Sequence, residues 1–148
     1  MALTLYKLDP ANGCTFDDGE GASPDAIDSV VDWSVNESAS ITQGTSDGVA
    51  TVQGTYVDNR VTSVTITTKN PANVTANGWQ VGTCGALVLK GLSRVVCDGD
   101  PVALTATAAQ AKITSIDFTV PHEGDSACNI TFECTAVDPD TVDIFIYS

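Results

Sequence analysis

Nineteen threonines and seventeen valines in 148 residues constrain this chain more than any other feature. Their branched Cβ leaves χ1 stiff and suits a pleated surface better than a helix. Common helix formers are scarce, with 4 Lys, 4 Glu and 1 Met. The composition therefore predicts an all-β domain. The length suits one domain, residues 1–148, with room for a sizeable core. Hydrophobic residues make up 43% of the chain, which excludes a disordered acidic tail. No run of about 18 apolar residues is present, so no membrane-spanning helix is expected. The start, Met1 to Pro10, shows no basic leader followed by an apolar stretch, which predicts synthesis in the cytoplasm.

Local patterning divides the chain further. Residues 3–8 read as a short strand stopped by Pro10, and 9–26 as a long polar loop rich in Gly, Pro and acids. Apolar residues at odd positions predict a strand over Ile27–Val35. Residues 37–58 predict a long hairpin whose tip is Gly44, Thr45, Ser46, Asp47 and Gly48. Its arms are poor in large apolar residues, so it needs a surface to lie against. Asp58-Asn59 predicts a tight turn into a strand over 60–68, and 70–85 reads as loop. Strands over 86–89 and 92–97 flank a turn at Lys90-Gly91. Residues 102–111 suit strand or helix, because Ala106, Ala108, Ala109 and Ala111 tolerate both; Ser23 to Val30 offers a second short helical stretch. Three strands over 112–120, 127–137 and 141–147 complete the pattern. About nine to ten antiparallel strands, a long hairpin and at most one short helix predict a β-sandwich or barrel. Residues 60–67 also echo 112–119, through duplication or through convergence of two Thr-rich strands.

Residues that carry chemistry are few. The single His122 lies in a turn, with no partner that spacing identifies. No nucleophile elbow, zinc-protease helix, Walker loop or dinucleotide fingerprint occurs, so an enzyme is not expected and no cofactor is implied. Asp17, Asp18 and Glu20 are the best candidates for a hard cation, but their spacing is not that of an EF-hand and equally suits acidic turns. Five cysteines leave at least one unpaired within a chain. A two-residue turn at Lys90-Gly91 would place Cys84 opposite Cys97 on a rung with Cα atoms about 4.5 Å apart, close enough for a disulfide. Reduced thiols are the other reading. Trp33, Trp79 and Tyr56 serve either as core aromatics or as stacking residues for a sugar.

Nineteen acids against six bases give a net charge of -13. Such a surface repels the phosphate backbone and excludes a basic nucleic-acid groove. It remains compatible with a surface that DNA must pass without adhering.

Val31-Asp-Trp33, the hairpin with Ser46-Asp47-Gly48, Gly82-Thr-Cys-Gly-Ala-Leu87 and Ala127-Cys-Asn-Ile-Thr-Phe132 together resemble structural proteins of tailed-phage virions, especially the tail-tube type. The resemblance covers residues 27–148. It implies a self-assembling virion protein made in the host cytoplasm, a barrel or sandwich that forms stacked rings, and a hairpin that reaches a neighbouring copy. It also implies other virion proteins as partners, DNA as non-adhesive cargo in an acidic lumen, no membrane, and a helix packed on the barrel. A trimeric capsid decoration protein and an extracellular carbohydrate-binding or adhesin-like sandwich are the alternatives.

Overall fold

The computed structural model describes residues 6–9, 13–21, 23–44, 54–93, 101–135 and 145–147. Strands dominate, as the β-branched composition requires. They are β1 (Tyr6–Leu8), β2 (Thr15–Asp17), β3 (Asp25–Ala26), β4 (Val30–Gly44), β5 (Gly54–Thr68), β6 (Cys84–Ser93), β7 (Ala103–Thr119), β8 (Ala127–Thr135) and β9 (Phe145–Tyr147). A short helix α1, Pro71–Ala76, lies between β5 and β6. The strands form one antiparallel sheet in the order β3-β2-β6-β7-β8-β5-β4, with β1 beside β6 and β9 beside β7. No helix among the described residues is long and apolar enough to cross a membrane.

Period-two alternation builds the core. Thr62, Val64, Ile66 and Thr68 of β5 face inward, opposite Cys134, Phe132, Ile130 and Cys128 of β8. Leu87 and Leu89 of β6 face inward beside Ala108 and Ala106 of β7. Between β6 and β7, large residues on one strand thus sit beside small ones on the next, which fills the interior without overpacking.

The sheet curls until its edges meet. Two strands separate β2 from β8, so a flat sheet would hold Phe16 and Phe132 about 14 Å apart. Their ring centroids are 5.1 Å apart, and Trp79 sets its edge on Phe16 at 5.5 Å. Across a wider span of the same order, Trp33 of β4 donates its indole N–H to the Lys90 carbonyl of β6 at 3.1 Å. The covalent chain closes the same gap, because β3 runs into β4 through a turn in which Ser29 takes a φ of 54°. The result is a barrel with a seam instead of a two-sheet sandwich. A cavity of about 300 Å³ lies in that seam, lined by Leu8, Cys14, Ile27, Val30 and Lys90 among others.

Several local expectations change. β6 passes straight through Lys90-Gly91. Gly91 lacks the positive φ that such a turn needs; it is buried within β6, opposite Leu8 of β1 and Leu104 of β7. Asp58-Asn59 makes no turn either, but lies in β5 opposite a register shift between Ser38 and Ser40 of β4. Residues 103–111 are strand, because their alanines are needed opposite Leu87 and Leu89. The 23–30 stretch holds β3 and a turn instead of a helix. The helix lies at 71–76, inside the expected loop. Proline opens it, Val74 is buried against the core, and Asn73 ties it to the β3–β4 turn. The Asn73 Oδ1 accepts the Asp28 N–H at 3.2 Å while its Nδ2 donates to Asp28 Oδ2 at 3.3 Å. The two echoing segments flank β8 in one sheet, where Val64 and Ile113 both face Phe132. Val61 is exposed while its counterpart Ile113 is buried, but beyond the register shift between Ile113 and Ser115 the counterparts Ser63 and Ser115, and Val64 and Ile116, share equivalent faces.

A Cβ on Gly85 would stand 2.0 Å from the Asp17 carbonyl oxygen. Gly85→Ala is therefore expected to destabilise the fold by about 1–3 kcal/mol, read as a lower denaturant midpoint. Trp33→Phe removes the seam hydrogen bond and part of the indole packing against the core, and should cost at least about 0.5–1.5 kcal/mol. An unchanged midpoint for either variant would contradict the corresponding contact.

Candidate assembly surface

Two surfaces of the barrel stand out, and both are built by β4 and β5. The ladder between these strands runs from Val30 opposite Thr68 to Gly44 opposite Gly54. Over Thr62–Thr68, β5 also pairs with β8. From Val61 back to Gly54 it has only β4 beside it among the described residues. Burial marks the change. Trp33 and Val35 are half-buried between exposed neighbours, whereas Asn36, Glu37, Ser38 and Ala39 are exposed in succession. Loss of the period-two alternation means that both faces of the ribbon are open to solvent at its root. The expected tip is only partly visible: Gly44 ends β4, and Thr45, Ser46, Asp47 and Gly48 lie outside the described residues.

The β4 stretch over residues 36–44 is a sheet edge. It contains no Lys, Arg or Pro, the residues that commonly block edge pairing. Glu37 is its one charge, and that carboxylate accepts a hydrogen bond from Thr62 Oγ1 at 3.4 Å.

The second surface is the outward face of β4, β5, β8 and β7. Register aligns three rungs across it: Asp32, Thr67, Asn129 and Asp117; then Ser34, Thr65, Thr131 and Ser115; then Asn36, Ser63, Glu133 and Lys112. None of these residues is apolar. Thr67 Oγ1 donates to Asn129 Oδ1 at 2.8 Å, and Ser115 Oγ to Asp117 Oδ2 at 3.2 Å. Lys112 stands opposite Glu133, a favourable cross-strand pairing. The other side of the barrel differs, with half-buried Val88 and Leu92 on β6 and exposed Lys7 on β1.

The remaining candidates fall elsewhere. His122 lies in an exposed bend. Asp17 Oδ1 accepts the Gly19 N–H at 2.9 Å and Asp18 Oδ1 the Glu20 N–H at 3.0 Å, so these carboxylates shape their own loop. No group of three acids, His or Cys suited to a metal occurs among the described residues. Trp79 is buried, 4% exposed, and Trp33 is held by its seam hydrogen bond, so neither presents a free stacking platform; the Tyr56 side chain lies outside the described residues.

The Cys84–Cys97 register fails with the turn that generated it. Cys84 stands opposite Lys112, is exposed and free, and donates its S–H to the Gly82 carbonyl. Cys97 lies outside the described residues. Cys14, Cys128 and Cys134 are buried free thiols. Burial raises the pKa of all three. For Cys134, burial and then the neighbouring Glu133 carboxylate push it up to about 12 from 9.0.

The polar face escaped the sequence reading. Its alternation is visible at 63, 65 and 67 and again at 129, 131 and 133. Joining those positions into one face requires the strand order, which no residue pattern specifies.

No protein-family model matches the chain, and no curated protein matches it. Among solved structures, it is similar to a chain from the virion of a native gene transfer agent particle, at 13% identity and a TM-score of 0.45, covering 98% of this chain and 95% of that one. It is also similar to a chain from the tail of an empty gene transfer agent particle with C6 symmetry, at 14% identity and a TM-score of 0.46, with the same coverage of 98% and 95%.

A raised thiol pKa favours the folded state while the thiol is neutral. The contribution of Cys134 is complete below pH 9.0 and is lost as pH rises toward about 12. Cys134→Ala should therefore lose stability less steeply than the parent across that window in pH-dependent denaturation. Parallel curves would show that the thiol is not held neutral by the fold.

Proposed function

We infer that this chain is a structural virion protein of a tailed phage that self-assembles into a tail tube conducting DNA. The observation that carries the reading is the β4–β5 ribbon, open on both faces where it leaves the barrel. A two-stranded ribbon is marginal in water on its own. An unguarded edge that long invites pairing with another chain. Closed symmetry resolves both problems, because each copy covers its neighbour's ribbon. The sequence resemblance to tail-tube proteins points to the same use.

Charge fits the reading. At -13 per chain, a conduit would not grip DNA, since adhesion requires cations that displace phosphate counterions. The same charge sets copies against one another. Assembly is thus expected to strengthen with added salt, which screens exposed like charges beyond about 10 Å at 0.1 M. A sugar-binding role loses support from the positions of Trp33 and Trp79.

Negative-stain microscopy of the purified protein at low and moderate salt tests the proposal. Rings or tubes, more abundant at moderate salt, are the expected result. Trimers would favour a capsid decoration protein, and monomers at high concentration would reject both. Removing residues 40–58 and bridging the stubs with a short turn should abolish rings or tubes while leaving the unfolding midpoint of the barrel nearly unchanged. Undiminished assembly of that variant would reject the ribbon contact.

A further inference from the structure

The polar face of β4, β5, β8 and β7 lies on the barrel beside the ribbon and meets its root at Asn36. Its central rung is hydroxyl from end to end, Ser34 through Ser115. Asp32 and Asp117 stand at its margins; its cations are Lys112, opposite Glu133, and exposed Lys69, two residues past Thr67 at the rim. A polyanion meeting the three rungs finds one cation, and that one opposite a carboxylate, so little counterion release rewards adhesion there. It finds no aromatic side chain on which a base can stack. The hydroxyls instead offer hydrogen bonds to water. The opposite side of the barrel offers exposed Lys7 and half-buried Val88 and Leu92.

We propose that the β4–β5–β8–β7 face is the wall past which DNA moves. The inference rests on the tube reading and adds which face of the barrel meets the polyanion. β4 is both the edge of the sheet and the margin of this face. Copies joined through their ribbons would therefore repeat the face around a common bore.

Size-graded thiol labelling tests the assignment. The starting protein carries Cys84→Ser, because the Cys84 thiol is exposed at the end of the third rung. Ser34→Cys and Ser115→Cys are then made singly. Both replacements are nearly isosteric, and two sites guard against a folding failure. Each variant is treated before and after assembly with a small maleimide and with one carried on a polymer too wide to enter a bore that admits duplex DNA. In assembled tubes the small reagent should still label both sites, while labelling by the wide reagent is lost. Tubes labelled by the wide reagent would put the face outside, and tubes labelled by neither would bury it between copies. Either result overturns the wall and leaves the tube intact. A starting protein that forms no rings or tubes ends the tube reading, and the wall with it.

Discussion

The barrel depends on bringing one edge of a single sheet back to the other. Trp33 of β4 supplies the direct link, its indole N–H on the Lys90 carbonyl of β6. Such a bond contributes only about 0.5–1.5 kcal/mol, yet its geometry fixes where the curl stops. Phe16, Phe132 and Trp79 fill the space that the curl encloses. The inward face of every long strand is spent on this packing. Function is left to the outward faces and to whatever extends beyond the closure, which is where the ribbon and the polar face are found.

Much of this was legible where side chains alternate strictly. Val64 and Ile66, like Ile130 and Phe132, announce their strands and their inward face by period two. The ribbon was legible from the Gly-rich stretch between two arms poor in large apolar residues. Legibility failed where one residue type serves two ends. Gly91 reads as a turn former but lies inside β6, paired with Leu8 and Leu104. Ala106 and Ala108 are neutral between helix and strand until Leu89 and Leu87 are set beside them. The helix at Pro71 carried a proper start signal, obscured by the Thr and Asn that follow. The polar face was hidden for a different reason: Ser34, Thr65, Thr131 and Ser115 become neighbours only after four strands are ordered.

Charge placement is correspondingly uneven. Asp17 and Asp18 are occupied with their own loop, and Asp28 with α1. Asp32 and Asp117 instead bracket a hydroxyl surface. Among the described residues, these acids fall into those that organise turns and those that border a face.

The register shift between Ser38 and Ser40 has a mechanical consequence. It sits where the ribbon leaves the barrel, and a bulge bends its strand and increases local twist. From Ser40 to Gly44 the arm extends roughly 14 Å at strand rise. A change of about 10° at such a pivot would swing the far end by about 2.4 Å, most of the spacing of one residue along a strand. The bulge therefore acts as the fulcrum of a lever, where a single inserted or deleted residue re-aims the arm without touching the barrel core.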